Sequence, residues 1–579
     1  MEKIKKENNC VIFYLSFQGK QIAETLRGIL NKADVFLLNQ EKLKENWFPN
    51  KLLIFIMSAG IVVRKIAKLI SEKTKDPGVI VIDETGRYVI PLLGGHSAFA
   101  NEIAKKIADF LSGIPVITTA SDNLGLPALD IWIKRTGLKI KNPRFLPGVM
   151  AKFNRKKELL VKVEKGIELP FPVFFKEVKN LNDADVVITY FDKKRNDALV
   201  LVAPCLWIGI GLHQGVSSEE IKQALHEIFK EKGLTFLAIK GIATMDTKVE
   251  HPALKELADE LGVVLKGVSR ELLSRVKAFS PSEKVFSAVG VESVSEQSAL
   301  FCAGKNADLL VPKKIFKDFT IAIAREVYRV CGKLYIVGTG PGGIQDMTLR
   351  ALSALREADT VVGYKRYIEL ISELTTGKEV FSFSMTEEIK RAEKAISLAE
   401  SGRVVALVSG GDPGIYGMAG LVLEILSKRK KIPEFEIKII PGVSAMCACS
   451  ALAGAPLMTD FAVISLSDRL IPWEEIEKRL EAFASTDVPV VIYNPKSRKR
   501  KHHLKKAKEI FLKYRKKDTP CAVVSNAGRE KEKVILTTLS EMDLQEVHMG
   551  TTIIVGNSVS YCTGNWIITP RGYHKKYAF

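Results

Sequence analysis

Short runs of apolar and branched residues recur along the chain, and each is closed by glycine, proline or serine. Residues 52–57 (LLIFIM) run into Ser58-Ala59-Gly60, after which a helix is predicted. Residues 10–17, 79–83, 114–119, 206–210 and 320–324 carry the same signal, and a helical stretch over 103–111 follows the Gly94-Gly95 turn. Further on, strands are predicted at 334–337, 360–362, 404–408, 437–440, 490–493 and 523–525. Apolar runs of this length, bounded by turn residues, mark strands buried on both faces. Between them the period shifts to that of helices, as in the stripe Leu349, Leu352, Leu355. Strands alternating with helices predict an α/β chain with mostly parallel or mixed sheets.

With 579 residues the chain exceeds one ordinary core. Four segments can be drawn: 1–128; 129–203, punctuated by Pro143, Pro147, Pro170 and Pro172; 204–328; and 333–579. The join over 325–332 has no Ser/Gly-rich linker, so close packing of the flanking parts is expected. A composition of 46% hydrophobic and 26% charged residues argues against disorder on a domain scale. The longest apolar run stops at Arg64, too short for a bilayer, and no small-residue cleavage site follows the run at 10–17. Eight cysteines without a Cys-x-x-Cys pair suit a reducing compartment. These features predict a cytoplasmic protein with no membrane partner and no protein-bound metal.

The net charge of +20 has two readings, nucleic acid or a small substrate rich in carboxylates. The densest basic run, 496–517, has few aromatics on which bases could stack, and its plain alternative is a solvated helix face. No nucleic-acid partner is expected.

Gly338-Thr339-Gly340-Pro341-Gly342-Gly343 follows a predicted strand and fits the spacing of a dinucleotide fingerprint. The next strand ends in Gly363-Tyr364, with no acidic residue to hold a ribose, so that reading is rejected. The companion loops are more specific. They are Ser409-Gly410-Gly411-Asp412-Pro413-Gly414-Ile415-Tyr416-Gly417, Pro441-Gly442-Val443-Ser444-Ala445, Asn494-Pro495 after Tyr493, and Asn526-Ala527-Gly528-Arg529-Glu530. Loops at strand ends are where open α/β folds bind ligands, and glycine lets the backbone approach them.

This ordered set resembles the tetrapyrrole (corrin/porphyrin) methylases over 333–579, and within them the precorrin-3B C(17)-methyltransferase branch, whose anaerobic form takes cobalt-factor III. The resemblance implies a two-lobed α/β domain, S-adenosyl-L-methionine as cofactor, cobalt carried by the substrate, and a homodimer formed through the methylase domain. It places Gly340, Pro341, Gly411, Asp412, Ile415, Tyr416, Ser444, Ala445, Tyr493, Asn494, Thr551 and Thr552 around the cofactor. The plain alternatives are a turn residue for Asp412 and a helix N-cap for Ser444.

Gly94-Gly95-His96-Ser97-Ala98-Phe99-Ala100-Asn101, Thr118-Thr119-Ala120-Ser121-Asp122, Gly209-Ile210-Gly211, Ile242-Ala243-Thr244-Met245-Asp246 and Val289-Gly290-Val291-Glu292-Ser293-Val294-Ser295-Glu296 resemble the cobalt-precorrin-5A hydrolases over 1–326. The resemblance implies several small α/β domains, lactone opening and release of acetaldehyde. Such a step needs a base and an oxyanion donor. His96 is the expected base and Asp122 its orienter or replacement. Glu292 and Glu296, four apart, are further candidates on one helical face, with a structural role the plainer expectation. The chain departs from that family at Ala98-Phe99, where two glycines are usual. It departs again at Gly211-Leu212-His213-Gln214-Gly215, where a thiol and two basic groups are usual. The combined expectation is a bifunctional cobalamin-synthesis enzyme. The alternatives are a methylase fused to a non-catalytic tetrapyrrole-binding module, or an RNA-directed methylase.

Overall fold

The computed structural model describes residues 10–577 except 29, 31–32, 50, 73–74, 95–99, 119–128, 157, 173, 196, 430–432, 498–499 and 501. His96 and Asp122 lie outside the described residues. The chain forms two compact units, Met1–Trp132 and Ile133–Phe579.

In the first unit six strands lie in the order Asp34–Leu37, Cys10–Tyr14, Leu52–Ile56, Gly78–Ile82, Tyr88–Leu93, Ile114–Pro115. The first four run parallel. Ile12, Ile54 and Ile80 pack with Ala104 and Ile107 on one face, while Val11, Leu53 and Val79 pack with Val62 and Ile66 on the other. Both faces are covered, which is why these strands read as unbroken apolar runs. The first strand stops at Tyr14, short of the predicted 17, because Ser16 caps the helix Phe17–Arg27 by accepting the Gly19 N–H at 3.0 Å. The strand expected at 114–119 is Ile114–Pro115, and just beyond it Val116 N–H still donates to the Val89 carbonyl at 2.9 Å.

The second unit begins with a five-stranded sheet ordered Lys139–Ile140, Leu199–Val202, Val186–Thr189, Leu159–Val163, Phe175–Glu177. A second sheet is ordered Val264–Val268, Ile239–Met245, Leu206–Leu212, Phe319–Arg325, Asp308–Ile315. The helix Val294–Ala303 lies directly on its central strand. A Cβ at Gly209 would come within 1.8 Å of the Ser295 carbonyl oxygen, so glycine is needed there for close approach.

The join at 325–332 is packed. Tyr328 N–H donates to the Gly166 carbonyl at 2.9 Å and Lys333 N–H to that of Arg403 at 2.9 Å. Arg135 pairs with Asp359 at 2.8 Å.

Residues beyond the join build two lobes. The first is an all-parallel sheet ordered Glu379–Phe383, Thr360–Tyr364, Val404–Ser409, Lys333–Gly338, Glu436–Ile440. The second is mixed and ordered Ala462–Ser465, Val490–Tyr493, Thr551–Val555, Pro520–Ser525, Lys533–Thr538. The basic run resolves into the amphipathic helix His503–Tyr514. Leu504, Ala507, Ile510 and Phe511 face the core, and Lys505, Lys506 and Lys513 are exposed. The exposed lysines of this helix form a solvated face, whereas Arg515 of the same run is buried and donates to backbone carbonyls.

Candidate functional site

The glycine loops of the two lobes meet backbone to backbone. Gly340 and Gly411 exchange a pair of hydrogen bonds, 3.2 and 2.8 Å, both at positive φ (77° and 67°). A Cβ at Gly442 would sit 2.2 Å from the Gly411 carbonyl oxygen, and one at Gly342 would sit 1.7 Å from that of Gly528. Gly343 N–H donates to the Gly528 carbonyl at 2.9 Å, and Arg529 Nε to that of Pro341 at 2.6 Å. The first glycine run does not open a helix. A short 3₁₀ turn, Ile344–Asp346, intervenes, and the helix Leu349–Glu357 is capped by Thr348. This is why its dinucleotide-like spacing carries no phosphate-binding helix terminus.

Asp412 ties two loops together. One carboxylate oxygen accepts the Gly414 N–H at 2.8 Å and the other the Gly442 N–H at 3.1 Å. Ile415 N–H donates to its carbonyl at 3.3 Å. Ser444 stands at the N-cap of the helix Ala445–Ala453 without capping it. Its hydroxyl instead meets the Tyr493 hydroxyl at 2.7 Å, and that hydroxyl accepts the Met446 N–H at 2.8 Å. Tyr493 thus caps the helix from the other sheet. Burial raises its pKa, against the hydrogen bonds from Ser444 and Met446.

Tyr416 is 58% exposed, and its ring lies 5.4 Å from that of Tyr493. Tyr416, Asn494 and Asn526 all hold φ between 52° and 54°, a strained state for residues with a Cβ that is concentrated at functional sites. Asn494 Nδ2 donates to Ser465 Oγ at 2.9 Å. Thr551 and Thr552 are buried, and Thr551 Oγ1 meets Ser525 Oγ at 2.8 Å. The predicted residues of the two lobes therefore gather at one set of strand ends. Sequence reading missed the roles of Arg529 and Gly528 as the brace on the first glycine loop. Their only signal was membership of the Asn-Ala-Gly-Arg-Glu motif.

In the 204–328 region, Glu292 and Glu296 do not share a helical face, since Glu292 precedes the helix Val294–Ala303. They converge on one loop nonetheless. Glu292 accepts the Ala278 N–H at 3.2 Å; Glu296 accepts those of Phe279, Ser280 and Lys313, each at 2.8 Å. Glu296 is fully buried. Burial pushes its pKa up, but the backbone N–H donors outweigh this and hold it below the ordinary value of 4.5. A carboxylate so saturated is a latch, not a base.

Two α/β lobes that present glycine loops at their strand ends define a ligand-binding α/β framework. The tetrapyrrole (corrin/porphyrin) methylases match residues 333–543, and the cobalamin synthesis G N-terminal and C-terminus families match 41–122 and 206–324. A cobalt-factor III methyltransferase of Priestia megaterium is 48% identical over 248 residues, 42% of this chain and 46% of that one. A probable cobalt-factor III C(17)-methyltransferase of Salmonella typhimurium is 48% identical over 240 residues, 42% of this chain and 99% of that one. The crystal structure of the methyltransferase CobJ is 34% identical, covering 41% of this chain and 100% of that chain with a TM-score of 0.40. The matched region thus spans about half of the first relative and nearly all of the second. The chain belongs to the tetrapyrrole methylase family, in a version that also carries both cobalamin synthesis G regions.

Proposed function

We propose that residues 333–579 methylate C17 of cobalt-factor III or precorrin-3B with ring contraction. The preceding regions, 1–128, 129–203 and 204–328, open the lactone of cobalt-precorrin-5A with loss of acetaldehyde. The observation that carries the first activity is the backbone-to-backbone cradle of Gly340, Gly411, Gly442 and Gly528, in a region 48% identical to a whole methyltransferase of that name. S-adenosyl-L-methionine supplies an electrophilic methyl carbon on a sulfonium. The residues present fit it: the helix Ala445–Ala453 leaves its N-cap side chain turned away, and the neighbouring backbone carries no Cβ at Gly411.

Gly340, Pro341, Asp412, Ser444, Ala445, Tyr493, Thr551 and Thr552 would hold the cofactor. Tyr416, exposed beside Tyr493, would bear on the macrocycle. These residues orient rather than exchange protons. Methyl transfer asks for two carbons held close and in line, and such positioning lowers a barrier by several kcal/mol. The +20 charge suits a substrate rich in carboxylates. A homodimer through the methylase lobes and a cytoplasmic location complete the reading. The test is mass analysis after incubating the full chain with cobalt-factor III and methyl-labelled cofactor. Gain of one labelled methyl is expected, and unchanged substrate overturns the reading.

A second reading keeps the methylase and makes the preceding regions a non-catalytic tetrapyrrole-binding module. Leu212 favours it. The side chain standing where that family has a thiol is buried, 8% exposed, and His213 N–H is held by the Asp318 carbonyl at 2.9 Å. Acetaldehyde released from cobalt-precorrin-5A, and lost in His96→Ala while methyl transfer continues, would decide for the hydrolase.

A further inference from the structure

Buried loop carbonyls must find a donor, so a side chain that donates to one also fixes the loop that carries it. Arg500 does this at the edge of the site. It comes from the basic run 496–517, yet its side chain is only 12% exposed. Its Nη1 donates to the carbonyl of the buried Leu466 at 3.1 Å, and its Nε donates to Ser497 Oγ at 3.1 Å. Asp468 lies 3.8 Å from the same Nε and 3.1 Å from His503 Nε2.

The loop so held, 466–468, follows the strand Ala462–Ser465 and lies against the turn at Tyr493-Asn494. Two bonds join loop and turn. Leu466 N–H donates to the Tyr493 carbonyl at 3.0 Å, and Asn494 Nδ2 donates to Ser465 Oγ at 2.9 Å. The same Ser465 oxygen accepts the Ser467 N–H at 3.2 Å. Asn494 keeps φ at 52°, a conformation that persists where surrounding contacts over-determine it, and these bonds supply such contacts.

Tyr493 is the residue that this clamp steadies. Its hydroxyl reaches from the sheet to the helix Ala445–Ala453, where it meets Ser444 Oγ at 2.7 Å and the Met446 N–H at 2.8 Å. The hydroxyl is the far end of a long rigid side chain, so a small rotation of the strand end displaces it most, and hydrogen bonds weaken steeply once misaligned.

We infer that Arg500 and Ser465 are positioning residues for the methyl transfer. They clamp the Tyr493-Asn494 turn and so hold the Tyr493 hydroxyl where it orders the Ser444-Ala445 side of the cofactor site. Both act through Tyr493 rather than on the ligand. This rests on the methylase reading above.

The test uses the full chain with Arg500→Met, Arg500→Lys, Ser465→Ala and Tyr493→Phe, and the double variants that combine Tyr493→Phe with Arg500→Met or with Ser465→Ala. S-adenosylhomocysteine binding is measured by calorimetry, with the Tm of each ligand-free protein. Arg500→Met is expected to raise the Kd about tenfold and Ser465→Ala about threefold to fivefold, the values of a charge-assisted and a neutral hydrogen bond. Arg500→Lys should recover part of the loss, since an ammonium can still donate to the Leu466 carbonyl but lacks the fork that also reaches Ser497. In the Tyr493→Phe background each second substitution should change the Kd by less than about twofold, because residues that act through one group are not additive. A purely structural bond would multiply its effect in both backgrounds. If Arg500→Met is too unstable to measure, the Ser465→Ala cycle decides in its place. A parent-like Kd in Arg500→Met or in Tyr493→Phe, or factors that multiply in the double variants, overturns the clamp while the methylase reading stands. A parent chain that does not bind S-adenosylhomocysteine overturns both.

Discussion

Glu296 and Arg391 are both buried charges on helices, and they are treated in opposite ways. The carboxylate of Glu296 receives three backbone N–H groups at 2.8 Å, whereas the Nε of Arg391 finds no acceptor among the described residues. The first arrangement closes a loop onto a sheet and is complete without a ligand. Burial alone therefore does not tell how a charge is held; the count of satisfied partners does. The same test separates two ends of the glycine-loop cluster. Asp412 is satisfied by two loop amides, while Ser444 is turned from its helix to a tyrosine of the other sheet.

The largest effect is expected at the latch. Glu296→Ala leaves three loop and strand N–H groups without their acceptor and should cost about 3 kcal/mol in urea unfolding. A loss no larger than that of a surface substitution would erase the contrast with Arg391.

A smaller effect is expected at Tyr493, which stands between the two extremes. Tyr493→Phe removes the acceptor for the Met446 N–H and the partner of Ser444, at about 1–2 kcal/mol, and should weaken cofactor binding in calorimetry. Ser444→Ala should reproduce only part of that loss, since the helix cap remains.

The smallest effect is one of pH. The folded pKa of Glu296 lies below its ordinary value of 4.5, so its stabilisation is full above that value and drains as pH falls through the lowered one. Glu296→Gln should be less stable at neutral pH and should flatten the acid limb of Tm below about pH 4.5. Parallel acid limbs in parent and variant would show that other carboxylates carry this dependence.

Much of the site was legible. Each of the strands read at 334–337, 404–408, 437–440 and 523–525 exists, and the loops predicted after them hold the glycines that now touch. Arg391 was visible only faintly. It shares the buried stripe of Ala392, Ala395, Ile396 and Ala399, where a charge contradicts the helical pattern. The expected shared face of Glu292 and Glu296 was misplaced because spacing was read as helix across a residue that precedes it. Their convergence on residues 278–280 comes from a loop that spacing does not describe.

The sequence by itself determined the α/β alternation, the strand-end loops, the family and the absence of a run long enough to cross a bilayer. These are local properties: apolar periodicity and turn chemistry act within a few residues. Only the tertiary structure decided that Gly342 lies on Gly528, that Tyr493 rather than Ser444 caps its helix, and that the Nε of Arg391 finds no acceptor among the described residues. Each depends on which atoms from distant segments share one small space, and hydrogen-bond partnership is a property of that space, not of the chain order.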